Sequence, residues 1–127
     1  MIHNRFIEVA RAVALSSLGT GPNSQFRLGS VLVYKKRIIS SGVNSHHTDR
    51  KMLKFYPYPF VHAESAAIFK RGLDNCYGCV LYSCRVKKDG TIALSKPCQF
   101  CSDLIKEVGI KRVVYSISEN EYGEIKV

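Results

Sequence analysis

The residues of this chain with chemistry to offer are His62-Ala63-Glu64 and, further along, Pro97-Cys98-Gln99-Phe100-Cys101. One imidazole and two thiols are donors of the kind zinc takes in tetrahedral sites. A set of three leaves a fourth position for water, which is the pattern of a catalytic zinc rather than a structural one. Glu64, two residues after His62, could reach that position without being a ligand and would carry protons there. Pro97 stands where proline is tolerated ahead of a helix. A helix starting at Cys98 would put Cys98 and Cys101 on one face, with its dipole favouring the thiolate form that zinc needs.

Positioning these groups requires the starts of two helices to converge at one edge of a sheet, and the hydrophobic pattern supplies the elements. Asn4 to Leu18 reads as a helix capped by Asn4, with Phe6, Val9, Ala10, Val13, Ala14 and Leu18 at helical spacing. Gly19 to Ser24 is a turn-rich break. Leu28–Tyr34 and Arg37–Ser41 read as strands of a hairpin joined by a tight lysine-bearing turn. Gly42 to Val61 is a long loop, carrying Asn44, His46, His47, Arg50, Lys51 and Lys54 and ending in Phe55-Tyr56-Pro57-Tyr58-Pro59-Phe60. Its aromatics could stack on a base or pack the loop onto the core. Ala63–Arg71 reads as a second helix stopped by Gly72, Cys79–Val86 as an apolar strand, and Lys87–Lys96 as a polar loop turning at Asp89-Gly90. Cys98–Val108 is a third helix closed by Gly109, and Lys111–Ser116 a further strand. Glu119–Val127 is polar, with room for a short edge strand or a frayed end. Alternation of helix and strand in the second half calls for a sheet that is at least partly parallel.

The 127 residues, 46% of them hydrophobic, suit one domain with one core, spanning 1–127. No apolar run approaches the roughly 20 residues of a membrane span, and the first residues lack the pattern of a signal peptide. The expected location is therefore cytoplasmic, with no membrane partner. The formal charge of +9 favours an anionic partner, a nucleotide phosphate or a nucleic-acid backbone, over a surface charged for solubility alone.

Each motif has a plainer explanation. A CxxC can be a redox pair, and a lone His-x-Glu is usually incidental. A sharper rival uses Cys76-x-x-Cys79 with Cys98-x-x-Cys101, at the separation of a structural zinc ribbon, which would make a binding module without catalysis. A ribbon leaves His62 and Glu64 unexplained and wants both pairs in tight knuckles, whereas Cys79 opens an apolar strand and Cys98 a helix. Cys84 is expected to point from its strand into the core.

Leu28-Gly29-Ser30-Val31-Leu32-Val33, Gly42-Val43-Asn44, His62-Ala63-Glu64, Val80-Leu81-Tyr82-Ser83, Pro97-Cys98-Gln99-Phe100-Cys101 and Gly109-Ile110-Lys111-Arg112-Val113 together resemble the cytidine deaminase-like superfamily. Its signature is H-x-E followed by P-C-x-x-C. The resemblance implies a three-layer α/β fold, a central mixed sheet of four to five strands flanked by helices. It implies one catalytic Zn2+ on His62, Cys98 and Cys101. It also implies that Glu64 takes a proton from the attacking water, passes it to the ring nitrogen and helps the exocyclic amine leave as ammonia. Asn44 would contact the sugar, the Ala63 N–H the base, and Ser95 and Lys96 would stand on the pocket rim, with Phe60 beside the base. Asn44 also fits a plain turn residue.

The His-Cys-Cys set is similar to deoxycytidylate deaminases and nucleic-acid deaminases, and departs from free-cytidine enzymes with three cysteines. Adenosine enzymes look least similar. The chain is read as a deaminase of a cytosine nucleotide such as dCMP, a branch whose members are usually oligomers. Single-stranded DNA or RNA is the close alternative substrate, and a non-catalytic zinc-binding module is the third reading. The short tail argues against a complete final strand.

Overall fold

The computed structural model describes residues 4–19, 27–45 and 62–127. Helix α1 (Arg5–Leu15) begins at Asn4, whose side-chain oxygen accepts from the N–H groups of Phe6 and Ile7, both at 3.1 Å. The helix ends three residues before the Leu18 boundary. Ser16 turns its hydroxyl back onto the Val13 carbonyl at 2.6 Å, the N–H groups of Ser16 and Ser17 close a tighter last turn on Val13 and Ala14 at 3.0 Å, and the Ser17 hydroxyl donates to Asn44. Leu18, predicted on the buried face, is left outside the helix and exposed. Ile7, Ala10 and Ala14 carry the burial, with Phe6, Val9 and Val13 packed beside them.

Strands β1 (Arg27–Tyr34) and β2 (Arg37–Val43) form the hairpin, joined by Lys35 and Lys36 at φ of 49° and 65°. Two consecutive positive φ values match the twist of the strands. Helix α2 (Ala63–Arg71) stops at Gly72, φ 101°, followed by a 3-10 turn (Leu73–Asn75). Next come β3 (Val80–Val86), β4 (Ile92–Ala93), α3 (Gln99–Glu107), β5 (Arg112–Ser118) and β6 (Glu121–Lys126). The Lys87–Lys96 segment, predicted as plain loop, folds back as a small hairpin in which β4 pairs Arg85 with Ala93 and Val86 with Ile92. The tail forms a full strand antiparallel to β5, so the expectation of an incomplete edge is corrected.

The sheet runs β2-β1-β3-β5-β6, with β4 on β3. The β3–β5 pair is parallel and the others are antiparallel, giving the mixed α/β sheet that the resemblance implies. Strand alternation sorts the side chains into two layers. Val31, Val33, Tyr82, Cys84, Val86 and Val114 face α1, and Cys84 is core as anticipated. Leu32, Leu81 and Val113 face α2 and α3, meeting Ile68, Cys101 and Ile105. Helices on both faces explain why β3 is apolar almost without interruption. Among the described residues, no helix is long and apolar enough to cross a membrane.

Two glycines set how closely the helices lie on the hairpin. A Cβ at Gly29 would run into the backbone of Ala10 and Ala14. A Cβ at Gly42 would stand 2.6 Å from the Ala63 carbonyl oxygen at the start of α2. Gly42→Ala is therefore expected to destabilise the fold by about 1–3 kcal/mol, the usual cost of overpacking. Chemical denaturation measures this, and an unchanged midpoint would contradict the packing.

Candidate active site

His62 is the N-cap of α2 and Cys98 the N-cap of α3. Neither uses its side chain to cap its own helix, although their carbonyls take up helical bonds from Ala66 and Ser102 at 3.0 and 2.8 Å. Both side chains are thereby directed elsewhere, and they meet. Nδ1 of His62 lies 3.4 Å from Sγ of Cys98 and 3.4 Å from Sγ of Cys101. One donor atom from each of the three residues falls within 4.8 Å of the other two, and among the described residues this is the one such group. Zinc–sulfur and zinc–nitrogen bonds of about 2.3 and 2.1 Å make a tetrahedral S···N edge of about 3.6 Å. The observed separations fit that edge, so these side chains could hold a zinc ion.

The protonation chemistry agrees. The Cys98 thiol is pulled down to about 5, mainly by the hydrogen bond from the Cys101 thiol, aided by the Cys101 N–H and by His62, and opposed by burial. A helix start supplies N–H groups and a positive dipole end to a thiolate.

Glu64 stands in the first turn of α2 and is 3% exposed. Its Oε1 accepts from the Ser83 hydroxyl at 3.1 Å. Burial pushes its carboxyl above the ordinary range, while its own backbone N–H, His62 and Ser83 pull the other way. A carboxyl with a raised pKa, beside the donor group of a metal site, has the properties of a proton carrier.

The remaining predicted positions fall in several places. Ala63 is buried in the first turn of α2, where a backbone N–H has no helical partner. Asn44 is buried, and its side-chain oxygen accepts from Leu28 N–H at 2.9 Å and from the Ser17 hydroxyl at 2.8 Å. That oxygen ties the end of β2 to β1 and to the end of α1. Ser95, expected on a rim, is 2% exposed and donates to the Ser83 carbonyl at 2.8 Å, with Ser116 beside it. Lys96 is exposed. Phe60, the other aromatics of 55–60 and the basic residues of 46–54 lie outside the described residues. Ser83 was missed as a functional residue. Its signal is a small hydroxyl in a mostly apolar strand, on the α2 side by alternation.

Cys76 and Cys79 sit in the core beside Ile68, Leu81 and Ile105. The Cys76 thiol donates to the Gly72 carbonyl at 3.4 Å, and burial, then Cys79, pushes it up to about 11. Burial also raises Cys79. Neither thiol belongs to the group formed by His62, Cys98 and Cys101, and burial favours the neutral form of both, which speaks against the ribbon arrangement.

Comparison with known proteins follows this geometry. The model of the cytidine and deoxycytidylate deaminase zinc-binding region matches residues 1–117. No curated protein sequence matches the chain significantly. Among solved structures, a cytidine deaminase from Burkholderia pseudomallei superposes with a TM-score of 0.65 at 19% identity, covering 99% of this chain and 93% of that one. A dCMP deaminase from the cyanophage S-TIM5 superposes at 0.59 and 21% identity, covering 85% and 76%. A guanine deaminase from Bacillus subtilis superposes at 0.55 and 25% identity, covering 92% and 65%.

Two substitutions separate the two cysteine pairs. Cys98→Ala is expected to abolish retained zinc after dialysis, measured by metal analysis of the purified protein. Cys76→Ala combined with Cys79→Ala is expected to retain it, and loss of zinc there with retention in His62→Ala would restore the ribbon.

Proposed function

The chain belongs to the cytidine and deoxycytidylate deaminase zinc-binding family, which makes it a zinc-dependent hydrolytic deaminase, and from that premise we propose that it converts cytosine to uracil in a (deoxy)cytidine nucleotide such as dCMP. The observation that carries the reading is the buried Glu64, held by Ser83 beside the His62, Cys98 and Cys101 donors.

In this proposal His62, Cys98 and Cys101 hold zinc, which when bound supplies Lewis-acid activation of the hydrolytic water. Glu64 accepts a proton from that water, the water oxygen adds to C4 of cytosine, and Glu64 delivers the proton to the ring nitrogen. It then carries a second proton to the exocyclic amine, which departs as ammonia while uracil remains. Ser83 fixes the rotamer of Glu64, so that one oxygen is occupied and the other faces the base. Burial raises the proton affinity of the Glu64 carboxylate, which helps it take the proton from water. The Ala63 N–H contacts the base and Asn44 meets the sugar. Ser95 braces the wall by tying β3 to β5, Lys96 stands at the mouth, and Phe60 flanks the base. The 127 residues act as a single deaminase domain.

The nucleotide is favoured over a bare nucleoside by the charge of +9. Single-stranded DNA or RNA is the second reading, supported by the exposed Lys87, Lys88 and Lys96 around the site. Ammonia release from dCMP, deoxycytidine, single-stranded DNA and RNA distinguishes them, with dCMP expected to be the best substrate. Zinc-loaded protein that acts on none of the four would contradict the proposal. Glu64→Gln is expected to keep zinc and lower turnover by about 10²–10⁴-fold. Turnover within a few-fold of the parent would remove Glu64 from the mechanism.

A further inference from the structure

We propose that Arg85 is the residue that binds the phosphate of the substrate, an inference that rests on the cytosine nucleotide reading above. On β3, side chains of alternate residues share a face. Ser83 reaches Glu64 from the α2 side, so Arg85 is on the same side, about 6.6 Å further along the strand. Among the described residues it is the one basic side chain on that face of β1 and β3. On β1 the same face carries Leu28, Ser30 and Leu32, and on β3 Leu81 and Ser83.

The core decides which way a substrate must extend. In one direction from Ser83 the strand runs into Leu81, packed with Leu32, Ile68 and Ile105. A base placed against Glu64 has no room there. On this proposal its sugar and phosphate extend the other way, past Arg85 and toward the Lys87–Thr91 hairpin.

That end of the molecule is a built cationic wall. The hairpin closes with Lys87 N–H on the Thr91 carbonyl at 2.8 Å and Gly90 N–H on the Lys87 carbonyl at 2.9 Å. Arg27 grips it from behind, donating to the carbonyls of Lys87 and Lys88 at 2.8 and 3.3 Å, and Arg11 donates to that of Gly90 at 3.2 Å. Both acids of the neighbourhood accept hydrogen bonds, Asp89 at the exposed turn itself. Asp89 accepts from Thr91, and Glu119 accepts from the Ile92 N–H at 2.7 Å. Lys87 and Lys88 are exposed and Arg85 is half-buried. A guanidinium carries five N–H donors in a planar arrangement that suits phosphate. The two lysines raise the local concentration of anions without fixing their position.

The test compares dCMP, deoxycytidine and a thymine oligonucleotide bearing one cytosine, on zinc-loaded parent, Arg85→Ala and Arg85→Lys proteins. Arg85→Ala is expected to lower kcat/KM for phosphate-bearing substrates by about 10–100-fold, mostly through KM, while deoxycytidine changes less than about threefold. Arg85→Lys should recover part of the loss. A selective loss on dCMP identifies the nucleotide's own phosphate, and one confined to the oligonucleotide identifies a backbone phosphate. Either supports the role. Equal losses on deoxycytidine and dCMP, or a parent enzyme indifferent to phosphate, would overturn it and leave cytosine deamination standing. If no substrate turns over, the deaminase reading fails separately, and calorimetric binding of dCMP and deoxycytidine judges Arg85. A phosphate-dependent gain in affinity that Arg85→Ala abolishes upholds the assignment, and its absence overturns it.

Discussion

The starts of α2 and α3 meet on one face of the sheet, and the chemistry of the molecule depends on that meeting. α3 lies in the crossover between the parallel strands β3 and β5, and α2 follows the β1–β2 hairpin on the same side. Both helices therefore open near the end of β3. An N-cap residue has extended backbone and a side chain that commonly folds back onto its own helix. His62 and Cys98 do not fold back, and the third donor, Cys101, follows one turn into α3. Close packing makes the arrangement precise. Gly42 lets β2 touch the backbone of α2, and buried Ile68 and Ile105 fix the two helices to Leu32 and Leu81.

The same spacing of two cysteines occurs twice with opposite outcomes. Cys98 and Cys101 stand at a helix start beside an imidazole, and the Cys98 thiol is drawn down to about 5. Cys76 and Cys79 stand among aliphatic side chains, and the Cys76 thiol is driven up to about 11. Cys98 is prepared to be a thiolate, while Cys76 is held as neutral core. Environment, not the motif, separates a metal site from packing. Glu64 shows the same principle. Burial raises its carboxyl, and its own backbone N–H, His62 and Ser83 pull the other way.

Much of this was legible beforehand, for physical reasons. Ala63–Arg71 was readable to the residue, because its apolar spacing ends at a glycine in a positive-φ cap. His62, Glu64, Cys98 and Cys101 were readable because few chemistries need those types at those spacings. The failures have causes as specific. The helix at the N-terminus looked longer because Leu18 fits the periodicity, yet the last turn tightens at Ser16 and Ser17 and the Ser17 hydroxyl donates to Asn44. β4 is two residues long, below what periodicity can detect, and β6 is polar because it is an edge. Ser95 looked like a rim residue, but its hydroxyl is spent across β3 and β5, a pairing invisible without the register. Arg85 drew no notice, since its significance lies in sharing a face with Ser83.

The central claim is that zinc is held by one nitrogen and two sulfurs, from His62, Cys98 and Cys101. X-ray absorption at the zinc K-edge of the purified protein measures the donor set directly. The account predicts two sulfur neighbours at about 2.3 Å and two light-atom neighbours at about 2.0–2.1 Å, one with imidazole outer-shell scattering. A shell of four sulfurs would contradict it and move the metal to both cysteine pairs.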